Sequence, residues 1–254
     1  MSHHRVEARN LHFSYPDGQA AIQDISFAIL HGEAVGVIGA NGAGKSTLLM
    51  LLMGILFPDS GQILVGDTHL TKKTMPMIRE RLGMVFQDPD DQLFMTTVGE
   101  DVAFGPRNYQ LEEREVESRV REALAQVGIL HLIDRAPFKL SGGEKRAAAI
   151  ATVLSMKPDV LIMDEPTSSL DPKSRRRVMD LLQSFEHTKI ITSHDLDMVL
   201  ETCQRVIVIK DGSVAADGPA GEILKNPQLL DSCGLEMPLS LQRCPLCGNQ
   251  AKNS

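Results

Sequence analysis

One short segment constrains the fold of this chain more than any other. Residues 39–47 read Gly-Ala-Asn-Gly-Ala-Gly-Lys-Ser-Thr and contain the phosphate-loop pattern G-x-x-x-x-G-K-[ST]. The apolar segment 34–38 before it has the pattern of a buried strand, and the apolar segment 48–53 after it has that of a helix. Glycines between a strand and a helix let backbone N–H groups turn inward around a triphosphate. The segment therefore predicts an α/β fold with a nucleotide site at the end of this strand.

The side chains of this loop predict ATP and Mg²⁺ as ligands. We expect the ammonium group of Lys45 to neutralise the β- and γ-phosphates, and the hydroxyl of Ser46 to ligate Mg²⁺. The predicted ATP-binding residues of the loop are Gly39, Ala40, Asn41, Gly42, Ala43, Gly44, Lys45, Ser46 and Thr47.

The composition limits the classes of protein to which this chain can belong. With 254 residues, 43% of them hydrophobic, it can bury the core of one domain and a subdomain. It has 26 basic and 33 acidic residues, a net charge of −7, which argues against a nucleic-acid partner. No apolar run approaches the ~18 residues of a membrane span, the N-terminus has no secretory core, and the four cysteines suggest no disulfide framework. We expect a cytosolic protein without direct membrane insertion, and attachment through a partner stays open.

Hydrophobic patterns predict strands on both sides of a helical stretch. Segments 6–13 and 22–30 surround a turn at Pro16-Asp17-Gly18, which predicts an antiparallel sheet. Residues 97–157 have the apolar spacing of helices. Strands that alternate with helices imply a parallel α/β core that carries an inserted helical subdomain. The remaining predicted strands are 62–65, 81–87, 160–163, 189–192 and 205–210.

Two carboxylates follow the apolar strand at 160–163. A buried parallel strand carries its last residues to the same rim of the sheet as the phosphate loop. We expect Asp164 to hold Mg²⁺ through water and Glu165, which faces the other way, to polarise the attacking water. The alternative is an acidic strand end that caps a helix, and the phosphate loop upstream favours the catalytic interpretation.

A second anion site is predicted at the segment Leu140-Ser141-Gly142-Gly143-Glu144. It precedes an alanine-rich helix, and glycines at a helix start expose N–H donors and the positive end of the helix dipole. The alternative is a capping box, in which Ser141 and Glu144 cap the helix without a ligand, and both interpretations can hold together. Because the chain has a single phosphate loop, we expect this site to receive the γ-phosphate of a nucleotide bound by a partner protomer.

Six motifs together resemble those of the ATP-binding cassette (ABC) ATPases. They occur in the order and at the spacings of that family, and the resemblance covers essentially residues 5–220. It implies a P-loop NTPase fold with a RecA-like parallel-sheet core, an N-terminal antiparallel β subdomain and an inserted α-helical subdomain. The motifs are Gly39–Thr47, Gln87, Leu140–Glu144, Val160–Glu165, Ser169–Asp171 and His194.

The resemblance implies a dimeric ATPase. Such proteins form head-to-tail dimers, in which ATP lies between the phosphate loop of one protomer and Ser141, Gly142 and Gly143 of the other. Asp171 would lie at the seam between the protomers. His194 would contact the γ-phosphate and orient the attacking water. A homodimer is the expectation, and a paralogous second protomer stays open.

Three further positions follow from the same resemblance. Gln87 would sense the γ-phosphate and Mg²⁺ and link the site to a transport partner. Tyr15 matches the aromatic residue that stacks on adenine, and the alternative is a strand residue with a buried ring. Glu144 replaces the glutamine most often found in its motif, and because a carboxylate near phosphates is unfavourable we expect it to point towards solvent.

A narrower resemblance lies in residues 86–94 and 98–106, which look like those of the ATPases of energy-coupling-factor transporters, especially those for cobalt or nickel. The region from Asp88 to Pro106 would then receive integral membrane subunits, which would hold the chain at the cytoplasmic face of the cell membrane. Its mixture of apolar and acidic side chains suits a docking surface, and an ordinary surface loop is the alternative. A vitamin transporter and a generic importer with a solute-binding protein stay open. The long coiled coil of chromosome-maintenance relatives and the second cassette of ribosome-acting ones are not present.

The predicted organisation is one ABC ATPase domain at 1–234, followed by a tail at 235–254. Within the domain, the RecA-like core takes about 1–87 and 158–234, and the helical subdomain takes about 88–157. The tail is rich in Pro, Ser, Asn and Gln, which predicts poor order.

The tail also contains Cys244 and Cys247 in the spacing of half a zinc site. Tetrahedral zinc needs four ligands, and two copies in a dimer could pool their pairs. The alternative is a pair of reduced thiols in a tail, and the sequence leaves both open.

Overall fold

The computed structural model describes residues 5–242, and these form two compact units. The first unit combines residues 5–75 with residues 188–242, and the second unit consists of Pro76–His187. The subdomain boundaries expected from the sequence at 88–157 stay a prediction. None of the helices within residues 5–242 is long and apolar enough to cross a membrane.

Strands and helices alternate along most of the described chain. The strands are β1 Val6–Ser14, β2 Ala20–Ile29, β3 Ala34–Ile38, β4 Ser60–Val65, β5 Thr68–His69, β6 Leu82–Val85, β7 Val160–Asp164, β8 Thr188–Thr192, β9 Arg205–Lys210 and β10 Ser213–Pro219. The α-helices are α1 Lys45–Leu52, α2 Met75–Arg81, α3 Val98–Asn108, α4 Glu113–Gln126, α5 Gly142–Leu154, α6 Pro172–Ser184, α7 Leu196–Thr202, α8 Ala220–Ile223 and α9 Pro227–Ser232.

The first unit contains an antiparallel sheet in the strand order β2-β1-β4-β5. The turn between β1 and β2 is closed by the N–H of Tyr15, which donates to the carbonyl of Gln19 at 2.9 Å. Gly18 in this turn has a φ of 86°, a backbone conformation that favours glycine. The predicted antiparallel pair and its turn are therefore confirmed.

The same unit contains a second group of strands in the order β10-β9-β3-β8. β3 lies between β8 and β9 and is parallel to both, whereas β10 is antiparallel to β9. Every residue of β3 and β8 is buried, which explains the uninterrupted apolar pattern of β3. Because β3 and β8 run side by side in the same direction, the segments that follow them emerge at one rim.

The second unit contains the parallel pair β6 and β7 and the helices α3 to α6. The strand expected at 81–87 is shorter than predicted, because α2 continues to Arg81 and the strand ends at Val85. α5 approaches β6 closely, and a Cβ atom at Gly83 would collide with the side chains of Val153 and Pro158. The last turn of α5 therefore packs directly on β6.

Helix α3 continues through Pro106, within the stretch 97–157 that the sequence predicted to be helical. Proline has no N–H to donate to the carbonyl four residues earlier, here that of Val102. The hydroxyl of Ser155, which is 1% exposed, donates to this carbonyl at 2.8 Å instead. A contact from the end of α5 therefore compensates for the hydrogen bond that Pro106 removes.

The first residues of the predicted tail pack on the first unit. The carboxylate of Asp197 in α7 accepts hydrogen bonds from the N–H groups of Leu239, at 2.9 Å, and Ser240, at 3.0 Å. Cys244 and Cys247 lie outside the described residues. The zinc hypothesis for these two cysteines therefore stays a prediction.

Candidate functional site

The phosphate loop joins β3 to α1 in the first unit. Gly44 precedes the first helical residue with a φ of 105°, and a Cβ atom there would collide with the carbonyl of Ala21. Within residues 5–242 no side chain caps this helix, and its first turn carries no acid. Its first N–H groups and the positive end of its dipole are therefore available to an anion.

The structure brings two of the predicted catalytic side chains together at this loop. Lys45 is 7% exposed, and its Nζ donates to the carbonyls of Gly39 at 2.8 Å and Ala40 at 3.1 Å. The Nε2 atom of His194 lies 3.4 Å from the same Nζ, although the two residues are 149 positions apart. Because an ammonium group only donates, Nε2 is the acceptor in this contact. Both side chains therefore face one point at the rim where β3 and β8 end.

Tyr15 lies beside the same loop. Its hydroxyl is 3.0 Å from the hydroxyl of Thr47, and its ring makes an edge-to-face contact with Phe13 at a centroid distance of 5.1 Å. Tyr15 is half-buried, whereas Phe13 is buried. The hydroxyl thus places Tyr15 at the nucleotide-binding loop, and stacking on adenine stays a prediction.

The segment Ser141–Gly143 starts α5 in the second unit, close to Asp171. Ser141 is the N-cap of this helix, and a Cβ atom at Gly143 would collide with the hydroxyl of Ser174. The carboxylate of Asp171 accepts from that hydroxyl at 2.5 Å and caps α6 by accepting from two backbone N–H groups. The missing side chain at Gly143 therefore accommodates the close approach of α5 to the start of α6.

The carboxylate of Glu144 lies at the surface and is also held by the chain. Its carboxylate folds back on Ser141 and completes a capping box with it. The oxygen Oε2 accepts from the N–H of Ser141 at 2.7 Å and from its hydroxyl at 2.8 Å. These two hydrogen bonds lower the pKa of the Glu144 carboxyl, so the group carries its charge at neutral pH.

The two predicted acidic residues stand at the end of β7. Asp164 is its last residue and is 6% exposed, and Glu165 follows at 8%. Glu165 has a φ of 48°, and its carbonyl accepts from the N–H of Ser168 at 3.1 Å. A bulky residue in the left-handed region has a strained backbone. Proteins retain such strain mainly at functional positions. The geometry is consistent with a catalytic Glu165, and its role stays a prediction.

Sequence reasoning missed Arg146, which joins α5 to the segment after β6. It is 2% exposed, and its guanidinium group donates to the carbonyls of Phe86 at 2.7 Å and Gln87 at 2.5 Å. Burial lowers the pKa of this arginine, and the charges of Asp88 and Asp164 oppose that effect. The missed signal is a charged residue at helical spacing with the buried residues of the apolar face of α5.

We predict that Arg146→Met lowers the free energy of unfolding by about 2 kcal/mol, because the two partly buried hydrogen bonds of this guanidinium group are lost. Urea unfolding of the purified chain measures this loss. The matched control is Lys145→Met, which removes only the ion pair to Asp90 at 2.6 Å. Since Asp90 is largely exposed, that pair should contribute less than about 1 kcal/mol. Equal losses in the two variants would contradict the assignment.

The region 88–106 presents two exposed aromatic rings. Phe94 is 63% exposed and Phe104 is 45% exposed, and their rings meet edge to face at a centroid distance of 5.0 Å. The buried carboxylate of Asp101 holds the loop beneath them, because it accepts from the N–H groups of Phe94 at 2.9 Å and Met95 at 3.0 Å. Burial raises the pKa of this carboxyl. The hydrogen bonds from Asp101 therefore hold the backbone that carries Phe94.

The charges of the same region are all negative. Residues 88–106 contain five acidic residues and no lysine or arginine. One of them, Asp101, is buried, and Asp90 pairs with Lys145. The remaining three carboxylates belong to the same segment as the apolar pair, and this composition suits a partner with apolar and basic side chains.

The predicted Mg²⁺ residues offer oxygen ligands of the kind that this ion prefers. They are the hydroxyl of Ser46, the amide oxygen of Gln87 and the carboxylate of Asp164. Asp164 is buried at the end of its strand, and Gln87 is exposed. The chemistry of this donor set fits Mg²⁺.

Comparison with known protein families gives one match over more than half of the chain. The family described as ABC transporter matches residues 22–168. This range contains the phosphate loop, the segment Ser141–Gly143 and the two acidic residues at the end of β7.

Individual proteins are similar over nearly the whole chain. A protein of Geobacter sulfurreducens, named as an ABC transporter ATP-binding protein, is 60% identical over 98% of this chain and all of its own length. The energy-coupling factor transporter ATP-binding protein EcfA of Methanothermobacter thermautotrophicus is 44% identical over 92% of this chain and 76% of its own. The solved structure of cbiO1 from Clostridium perfringens, part of the ABC transporter complex cbiONQ, is 41% identical, with a TM-score of 0.80 over 89% of this chain and 93% of that one.

Proposed function

This chain belongs to the ABC transporter family, as an ATPase subunit of the energy-coupling-factor type, and we propose that it powers the import of cobalt or nickel ions. In this proposal the chain works at the cytoplasmic face of the membrane, attached through integral membrane subunits. The similarity of residues 86–106 to the metal-importing branch supports the substrate. The relationship to cbiO1, which is part of a complex with other subunits, supports the mode of attachment.

The contact between Lys45 and His194 is the observation that carries the proposed site. If Lys45 neutralises the γ-phosphate, then His194, 3.4 Å from its ammonium group, lies beside the same phosphate. There its imidazole can contact the phosphate and orient the attacking water. Glu165 would then accept a proton from that water. Positioned charge supplies most of the rate, and these two residues handle the water.

The dimer follows from the distribution of the predicted residues. ATP held by the phosphate loop of one protomer would also be bound by Ser141 and Gly143 of the other, so each nucleotide stabilises the closed dimer twice. Hydrolysis removes the γ-phosphate from between the protomers, and the closed state loses that stabilisation. Opening and closing would then move the surface at 88–106 and the membrane subunits with it.

Mg²⁺ would be held by Ser46, Gln87 and, through water, Asp164. When bound, the ion supplies positive charge that neutralises the phosphate oxygens. The residues of the chain keep the remaining tasks, which are binding the phosphates, orienting the water and accepting its proton.

We predict that the double replacement Phe94→Ala and Phe104→Ala lowers co-purification with the membrane subunits at least tenfold. Truncation of a central aromatic residue at an interface costs about 2 kcal/mol or more. The measurement is the yield of complex from detergent-solubilised membranes of cells that express all subunits. Phe138→Ala is the matched control, because this phenylalanine is 78% exposed but lies outside 88–106. Equal yields from the double variant and from the control would contradict docking at this surface.

Uptake measurements test the proposed substrate. Cells that express the whole complex should accumulate radioactive cobalt or nickel, and cells with the Lys45→Ala variant should not. Uptake of a vitamin in place of metal would point to the other branch of energy-coupling-factor transporters. A requirement for a solute-binding protein would point to a generic importer, and either result would overturn the metal proposal.

A further inference from the structure

We propose that the negative charge of Glu144 is a brake on closure of the ATP-bound dimer, because its carboxylate occupies the donors of Ser141 that the partner's nucleotide has to reach. This role rests on the proposed function, in which Ser141 binds a γ-phosphate across the dimer. It goes beyond that function because it makes Glu144 a positioning residue that sets the ATP dependence of association.

The geometry gives the first step. One carboxylate oxygen of Glu144 accepts both the N–H of Ser141, at 2.7 Å, and its hydroxyl, at 2.8 Å. The returning contact, from the N–H of Glu144 to the Ser141 hydroxyl, is long at 3.4 Å. Both donors of Ser141 are therefore already used, and an arriving phosphate has to displace the carboxylate to bind them.

The charge gives the second step. Among residues 5–242, Glu144 makes no ion pair within 4.0 Å, and the charges of Arg135 and His131 act on it only from a distance. A phosphate that approaches Ser141 therefore meets an anion that is hydrogen-bonded but not neutralised by a contacting cation. Two like charges a few ångströms apart at a closing interface repel each other.

The third step separates the charge from the helix cap. A capping box accepts glutamine as well as glutamate at this position, because only an oxygen acceptor is needed. A neutral glutamine at position 144 could thus cap α5. A phosphate would need less free energy to displace it from the two donors of Ser141. The negative charge strengthens the cap but is not required for it, and its larger consequence falls on the approaching nucleotide.

The test compares dimer association in a Glu165→Gln background, in which bound ATP persists. We expect Glu144→Gln to tighten the ATP-dependent dimer at low salt by about tenfold for each of the two sites, which corresponds to about 1.4 kcal/mol per site. Sedimentation at a series of protein concentrations with saturating Mg-ATP measures the dissociation constant. This gain in dimer affinity should shrink to less than about threefold at 1 M salt, because the Debye length is then ~3 Å and exposed charges farther apart are largely screened.

Two controls isolate the charge at Ser141. Glu144→Asp retains the charge and should not tighten the dimer. Glu117→Gln makes the same chemical change on the exposed face of α4 and should leave the dissociation constant within about twofold of the parent. Thermal unfolding should change only slightly in Glu144→Gln, because the cap persists and only the charge-assisted part of its hydrogen bonds is lost.

Several results would overturn the role. They are ATP-dependent dimers that Glu144→Gln leaves unchanged, a gain that persists at 1 M salt, and an equal gain in Glu144→Asp. If the parent and every variant stay monomeric with ATP, the dimer of the proposed function fails as well. The first three results leave that dimer intact, so the two failures are distinguishable.

Discussion

Replacing Glu165 with glutamine should leave ATP binding intact and lower the turnover of ATP by a factor on the order of 10²–10³. That range is typical for removal of a general base that acts on the attacking water. Glutamine has the shape of glutamate and can occupy the same buried position, where Glu165 is 8% exposed, but it cannot accept a proton from water. Phosphate release measures the turnover, and calorimetric titration with ATP measures the binding.

The same variant should accumulate as an ATP-bound dimer. When hydrolysis is blocked, the γ-phosphate stays between the protomers and continues to stabilise the closed state. Sedimentation with and without ATP checks this, with Glu117→Gln as a control for the same chemical change at an exposed site. ATP turnover at the rate of the unmodified chain in Glu165→Gln would remove Glu165 from the mechanism.

Replacing Lys45 with alanine should weaken ATP binding by about 100-fold or more. Hydrogen bonds to a charged group contribute about 1.5–3 kcal/mol each, and Lys45 is expected to make such bonds to two phosphates. Alanine also removes the two hydrogen bonds from Nζ to the carbonyls of Gly39 and Ala40, which arrange the loop. The measurement is the dissociation constant for ATP by calorimetry.

Lys210→Ala is the control for this experiment. Lys210 is an exposed lysine at the end of β9, in the same unit, so its loss changes the net charge equally. It should bind ATP within about twofold of the unmodified chain. Affinity in Lys45→Ala within threefold of that value would contradict the assignment of the phosphate loop as the ATP site.

Parts of the fold that depend on neighbouring residues were predictable. The strand at 34–38 is β3 residue for residue, and the antiparallel pair with its turn at Pro16-Asp17-Gly18 is confirmed. Patterns of this kind repeat every two or every 3.6 residues, or depend on a turn of a few residues, so they can be read along the chain. The ends of elements were less predictable, as the shortened β6 shows.

Glu144 shows where two local expectations conflict. The spacing of Ser141 and Glu144 predicts a capping box, whereas repulsion from a phosphate predicts a carboxylate that points to solvent. The structure resolves this in favour of the box. Short hydrogen bonds to Ser141 are available in the folded chain itself, and they hold the carboxylate although it stays partly exposed to water.

The order of the motifs along the chain by itself determined the family, the phosphate loop and the identity of most candidate residues. Only the tertiary structure decided which of them meet, such as Lys45 with His194, Tyr15 with Thr47, and Arg146 with the carbonyls of Phe86 and Gln87. The physical reason is the separation along the chain between the residues that interact. Capping, turns and hydrophobic periodicity act over a few residues, whereas these contacts depend on strand order and on helix packing, which bring distant segments of the chain to one place.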